Sequence, residues 1–302
     1  MTPEKRELIL KISLVFVSSI LFLWLGLEYG TKGLEKILNN SIKKYTPNIL
    51  TEVNKTPLEY LGLIVNSKSS LSVKIDKDGN REVIFSKFPG RKLPIASLTK
   101  LMTSVIALEN YSPEQRTLIS SKSLNQEGAA GDFFLNQDVS LNDLLRGMLV
   151  ESSNDAAWAT TEIMGTDNFI NKMNQKAVLL GLNETSFINP SGLDPINISE
   201  PINISTTRDL LKLTEYIIYN HPKIFEYTRD SSPKNTNILL YKIPEIYGGK
   251  TGYTDEAGGC ILLVLKKDDN YYVNIVLGSD SRDSRFEEVL KLSEAVFDFE
   301  QR

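Results

Sequence analysis

Residues 246–277 read IYGGKTGYTDEAGGCILLVLKKDDNYYVNIVL. Two apolar runs, Cys260 to Leu265 and Tyr271 to Leu277, flank a polar stretch at 266–270. Runs of this kind, split by a short polar turn, predict an antiparallel hairpin buried on at least one face. Downstream the period lengthens. Phe286, Val289, Leu290, Val296 and Phe297 lie along one side of a helix predicted over 285–299. Upstream, Leu71, Val73 and Ile75 alternate with polar residues, Asp78-Gly79-Asn80 supplies a turn, and Val83-Ile84-Phe85 returns as a second hairpin. Asp76 to Gly79 lacks the further ligand positions and the closing Glu of a calcium loop, so it is read as a turn only.

Between the hairpins the pattern is helical. Leu98, Leu101, Met102, Val105 and Ile106 mark one face of a helix ending near Glu109. Ser140, with Asp143 three residues on, resembles a capping box for a helix through Val150. Further helices are predicted over 155–164, 167–180 and 206–219, with Gly181 and Pro222 as stop signals for the last two. A strand pair, a run of helices, more strands and a final helix describe an α+β protein. The terminal strands can join into one sheet, with the helices in a separate subdomain or on its faces.

Composition removes several functions. The 302 residues carry 34 Lys+Arg against 38 Asp+Glu, a net charge of −4, which argues against a basic nucleic-acid binder. One cysteine, Cys260, allows no internal disulfide. With His221 the one histidine, a zinc site of His and Cys lacks ligands. Neither metal nor cofactor is expected. A serine nucleophile would more readily use lysine than His221 as its base.

Three motifs occur in order: Ser97-Leu98-Thr99-Lys100, Ser152-Ser153-Asn154 and Lys250-Thr251-Gly252. The set S-x-x-K, S-x-N and K-T-G belongs to penicillin-recognising serine enzymes. The first two recur elsewhere, S-x-x-K at Ser41 and Ser231, and S-x-N at Ser123 and Ser140. Context selects the copies. Ser97 opens a strongly periodic helix with Lys100 on the same face, Ser41 belongs to the stretch 31–57 read as a stalk, and Pro233 interrupts the Ser231 copy.

With IASLTKLMTSVIALE, VESSNDAAW, NKMNQKAVLLGLNETSFINPSGLD and GGKTGYTDEAGGC in this order, the sequence from about residue 60 to 302 closely resembles the serine-type D-Ala-D-Ala carboxypeptidases, the low-molecular-weight penicillin-binding proteins. The resemblance implies a β-lactamase/transpeptidase-like α/β/α sandwich: an antiparallel sheet flanked by helices, plus an all-helical subdomain. It implies a substrate, peptidoglycan stem peptides ending in D-Ala-D-Ala, and covalent inhibition by β-lactams. Ser97 would be the nucleophile. Lys100 would be its base, kept neutral by burial and by the nearby Lys250 cation. In this family Ser152 relays a proton to the leaving amine, and Asn154 binds a substrate amide and steadies Lys100. Lys250 and Thr251 would receive the substrate carboxylate, Gly252 would admit its backbone, and the N–H groups of Ser97 and Tyr253 would form the oxyanion hole. Gly249 stands where the family more often has a larger side chain.

The remaining residues are assigned structural places. Ser153 fills the variable motif position, Cys260 is a buried strand residue, and His221 is a solvated cation at a helix end. Asp194 and Asp255 form loops. Glu200-Pro201-Ile202-Asn203 resembles the loop of the deacylating glutamate in class A β-lactamases, but its spacing is one residue short, so Glu200 is read as a surface residue. A D,D-endopeptidase attacks a similar bond, and these residues do not separate it from a carboxypeptidase. An inactive wall-binding scaffold would not need the complete motif set.

Residues 12–27, ISLVFVSSILFLWLGL, are uncharged and extend through 9–11 to nearly the length of a bilayer span. Lys5, Arg6 and Lys11 precede them, and no A-x-A-like cleavage site follows. The expected organisation is a cytoplasmic tail and membrane anchor at 1–30, a stalk at 31–57, and a catalytic domain at 58–302 on the extracytoplasmic face.

Overall fold

The computed structural model describes residues 63–128, 131–197 and 199–300. The segment read as a membrane anchor and stalk lies outside them. Among the described residues no helix is long and apolar enough to cross a membrane.

In chain order the elements begin with β1 (Ser69–Ile75), β2 (Arg81–Lys87) and β3 (Leu93–Pro94). A 3-10 turn at Ala96–Leu98 runs into α1 (Thr99–Asn110). Next come β4 (Arg116–Leu118), α2 (Ser121–Leu124), β5 (Asp138–Ser140), α3 (Leu141–Val150), α4 (Asn154–Glu162) and α5 (Thr166–Leu179). The chain continues through β6 (Ile204–Ser205), α6 (Thr207–Asn220) and α7 (Lys223–Thr228). It ends with β7 (Ile246–Thr254), β8 (Gly258–Lys267), β9 (Asn270–Ser279) and α8 (Ser284–Glu300).

The main sheet has the order β2-β1-β9-β8-β7, antiparallel throughout. Strand β1, near the start of the described chain, pairs with β9 from Ser69↔Leu277 to Ile75↔Tyr271. The unbroken apolar run in β8 follows from burial on both faces. Cys260, Leu262 and Val264 point into one core with Val73, Ile275 and the helices, while Ile261, Leu263 and Leu265 point into another with Phe286, Val289 and Leu292 of α8. Three layers result: α8, the sheet, and α6 with the helical region of α1, α3, α4 and α5. The expected sheet flanked by helices is present.

The β8–β9 turn is tighter than the polar stretch at 266–270 predicts. The ladder continues to Lys267↔Asn270, leaving Asp268 and Asp269 to turn the chain, with Asp268 at φ 52°. The first hairpin turn is closed by Asp76, whose Oδ1 accepts from the backbone N–H of Asp78 (2.9 Å) and Asn80 (2.8 Å). Ser140 caps α3 through the N–H of Asp143 at 3.2 Å. A buried bidentate pair, Arg81 with Glu215, ties β2 to α6. His221 caps the C-terminal end of α6 but is not simply solvated. Its Nε2 lies 3.3 Å from Glu109 Oε1. Burial pushes the Glu109 carboxyl upward, yet hydrogen bonds from His221, Lys176 and Tyr216 hold it at about 2.

Packing on both faces sets the cost of truncation in β8. Leu262→Ala is expected to lower unfolding stability by about 2–5 kcal/mol in urea titration. Val178→Ala, at a position 78% exposed, should change it by no more than about 0.5 kcal/mol. Equal effects would contradict the two-sided core.

Candidate active site

Ser97 sits in a turn held on both sides by glycine. Pairing of β3 with β6 fixes its approach through Pro94↔Ile204. Ala96 then adopts φ 46°, a conformation that costs a non-glycine residue energy. A Cβ on Gly192 would lie 1.8 Å from the Ala96 carbonyl oxygen, and Gly192 itself has φ 84°. On the other side, a Cβ on Gly252 would lie 3.0 Å from both Ser97 N and Ala96 Cβ. The serine is thereby presented to a cleft of about 370 Å³, also lined by Ser152, Asn154, Thr236, Thr251, Tyr253 and Arg285.

Lys100 is wholly buried below Ser97. Its Nζ lies 2.8 Å from Ser97 Oγ, 2.8 Å from Asn154 Oδ1 and 2.9 Å from the Ser191 carbonyl oxygen. The two carbonyl oxygens can only accept, whereas the Ser97 hydroxyl can donate. A neutral amine satisfies all three, with two N–H bonds to the carbonyls and its lone pair toward Ser97. Burial, and then the Lys250 cation, pushes Lys100 well below the usual lysine range, toward that neutral form. Asn154 is oriented by its own donor, since Nδ2 bonds the Glu127 carbonyl at 2.7 Å.

The second motif turns sharply. Ser152 has φ 63°, and its Oγ accepts from Lys250 Nζ at 2.8 Å. Ser153 has a place beyond spacing the motif: its Oγ caps α4 through the N–H of Ala156 at 3.1 Å. Lys250 also donates to the Thr251 carbonyl at 3.0 Å. Burial, and then Arg285, pushes Lys250 down to about 7. Strand β7, which carries K-T-G, is an edge of the sheet and borders the cleft. At Gly249 a Cβ would lie 2.4 Å from the Leu262 carbonyl oxygen, so this backbone accommodates only glycine there.

All eight residues singled out in the sequence lie together: seven line the cleft or its floor, and the Tyr253 ring stands at its rim, 42% exposed. Sequence reading missed Ser191 and Glu127, which act through carbonyls, and Thr236, whose Oγ1 is 2.7 Å from Thr251 Oγ1. It also missed Arg285, read only as a helix start. From α8 its Nη1 donates to the Gly252 carbonyl at 2.7 Å, and Arg282 lines the same end of the cleft. Asp194 is more than a loop former, since it accepts from Thr254 Oγ1 at 2.8 Å and from the N–H of Glu256 at 3.1 Å. Glu200 is exposed and lines a separate depression beside Pro195 and Ile202.

The family model described as D-alanyl-D-alanine carboxypeptidase, peptidase S11, matches residues 63–281. The chain belongs to this family. It is 31% identical over 245 residues to the carboxypeptidase DacF of Bacillus subtilis, a match covering 75% of this chain and 61% of the relative. It is also 31% identical over 242 residues to a D-alanyl-D-alanine endopeptidase of Escherichia coli, covering 74% of this chain and 76% of that one. The cefotaxime-bound structure of penicillin-binding protein D2 from Listeria monocytogenes superposes with a TM-score of 0.70 at 30% identity, over 78% of this chain and 99% of that chain. The chain thus spans about three fifths of the DacF relative and nearly all of the Listeria structure.

The depressed lysines make stability depend on pH. Folded Lys250 loses its proton near 7, against 10.5 for an ordinary lysine. Between those values the unfolded chain binds more protons, so stability should rise with pH across the window. Lys250→Met should flatten the rise, measured by denaturant unfolding at several pH values inside it. An unchanged slope would show that Lys250 titrates normally.

Proposed function

We propose that this chain is a serine-type D-Ala-D-Ala carboxypeptidase acting on peptidoglycan stem peptides. The observation that carries the reading is the wholly buried Lys100 amine, 2.8 Å from Ser97 Oγ, with its other two contacts fixed as acceptors. Ser97 Oγ attacks the carbonyl carbon of the penultimate D-alanine as Lys100 takes the hydroxyl proton. The N–H groups of Ser97 and Tyr253 receive the oxyanion, a kind of donor worth about 2.7–4 kcal/mol each. Ser152, bonded to Lys250, relays the proton taken up by Lys100 to the leaving amine of terminal D-alanine as the peptide C–N bond breaks. Water then attacks the acyl carbon, Lys100 takes its proton and returns one to Ser97 Oγ as the ester C–O bond breaks. Thr251 and the Lys250 ammonium receive the terminal carboxylate, whose negative charge in turn favours the protonated lysine. A β-lactam would acylate Ser97 by the same route.

Fluorescent penicillin should label the wild-type protein, and Ser97→Ala should abolish labelling while leaving the circular dichroism spectrum intact. Labelling of the folded variant would move the nucleophile elsewhere. Lys250→Ala should weaken turnover of a peptide ending in a free carboxylate more than that of its C-terminal amide. Equal losses would reject the receptor role.

A second reading, D,D-endopeptidase, is favoured by the E. coli relative of that name, which matches across about three quarters of both chains. Incubation with a pentapeptide and with a cross-linked dimer separates the two. Release of D-alanine from the pentapeptide alone supports the carboxypeptidase, and cleavage of the dimer alone supports the endopeptidase.

Residues 12–27 are proposed to anchor the chain in the cytoplasmic membrane with the catalytic domain outside, supported by the uncharged run and its basic flank. The full chain should fractionate with membranes and retain Met1 or Thr2 at its N-terminus. A soluble mature chain starting near residue 30 would show cleavage instead.

A further inference from the structure

Thr236 belongs to none of the three motifs, yet its hydroxyl is 2.7 Å from that of Thr251 at the cleft wall. It comes from the loop ahead of β7, and that loop is locked from both sides. The N–H of Thr236 bonds the Val150 carbonyl at 3.1 Å, two residues before Ser152. Asn235 Nδ2 bonds the carbonyls of Thr228 (3.0 Å) and Asp230 (2.8 Å), and its Oδ1 accepts from the N–H of Asn237 at 2.9 Å. Asn237 in turn accepts from the N–H of Leu239 at 3.1 Å. Thr236 is therefore held at a fixed distance from both the Ser152 turn and the K-T-G strand.

A hydroxyl has one proton to donate and two lone pairs to accept with. Thr251 is buried, and its proton can go to Thr236 or into the cleft, but not to both. An anion in the cleft accepts only. Its arrival favours one direction, with Thr236 donating to Thr251 and Thr251 donating to the anion, and each bond in such a chain polarises the next. We propose that Thr236 is a positioning residue for the carboxylate of the substrate, holding the Thr251 proton toward the cleft. This inference rests on the carboxypeptidase reading and adds to it a determinant of selectivity for a free C-terminus.

The test uses the full chain, a diacylated tripeptide ending in D-Ala-D-Ala, and the C-terminal amide of the same peptide. Thr236→Val keeps the shape and removes the hydroxyl, and Thr236→Ser restores it. Thr236→Val should raise KM for the free acid by about five- to tenfold, the effect of one neutral hydrogen bond, with kcat changed far less. The amide should be unaffected, and Thr236→Ser should recover most of the loss. An equal loss on acid and amide, no loss, or failure of the serine variant to restore binding would overturn the inference while leaving Ser97-dependent acylation in place. A wild-type protein that neither labels with penicillin nor turns over either peptide would overturn the carboxypeptidase reading, and this inference with it.

Discussion

Two lysine amines are buried beneath one cleft, and neither forms an ion pair among the described residues. Each contacts oxygens of neutral groups only: hydroxyls, an amide and backbone carbonyls. Burying a charge without an opposite charge costs several kcal/mol, so burial pushes both amines down, Lys100 well below the usual lysine range and Lys250 to about 7. A carboxylate of the protein placed against Lys100 would relieve that cost and raise its pKa, and Lys100 would no longer be a base. The surrounding architecture supplies polar oxygens with no negative charge. That explains why backbone carbonyls, from Ser191 and Glu127, take so much of the work.

Backbone oxygens can be aimed only by fixing the chain. The Ser97 turn is wedged between Gly192 and Gly252, and Ala96 and Ser152 hold left-handed conformations that only their surroundings sustain. Ala96 adjoins Ser97, and Ser152 itself lines the cleft. The energy to hold them comes from the double-faced sheet and the helices packed on it. Arg285 extends this support from α8, reaching the carbonyl of Gly252.

The parts legible in the sequence were those set by local periodicity or by residue type at short spacing. The helix carrying Lys100, the N-cap at Ser140 and the hairpin strands of β8 and β9 follow from patterns within a few residues. Lys100 and Lys250 stood out because their motifs name them. Thr236, Glu127 and Ser191 did not, since their contacts join residues 15, 27 and 91 positions apart and two of them use the main chain, which every residue has. Arg285 was hidden for a related reason: a charged residue opening a helix looks solvated until tertiary packing turns it inward. The β8–β9 turn was drawn too wide because Lys266, Lys267 and Asn270 are polar, although ladder pairing at a hairpin end does not require apolar side chains.

The pairing of β1 with β9 has a consequence in time. These strands meet across about 200 residues of intervening chain, and β1 lies between β2 and β9 in the sheet. Contacts of such long range pay a large loop-closure entropy before any reward arrives. During synthesis from the N-terminus, the first hairpin must wait with one edge unpaired until residue 279 has emerged. The five-stranded sheet cannot be completed on a shorter nascent chain, so the cleft and its two buried amines reach their finished arrangement only after residue 279 has been made.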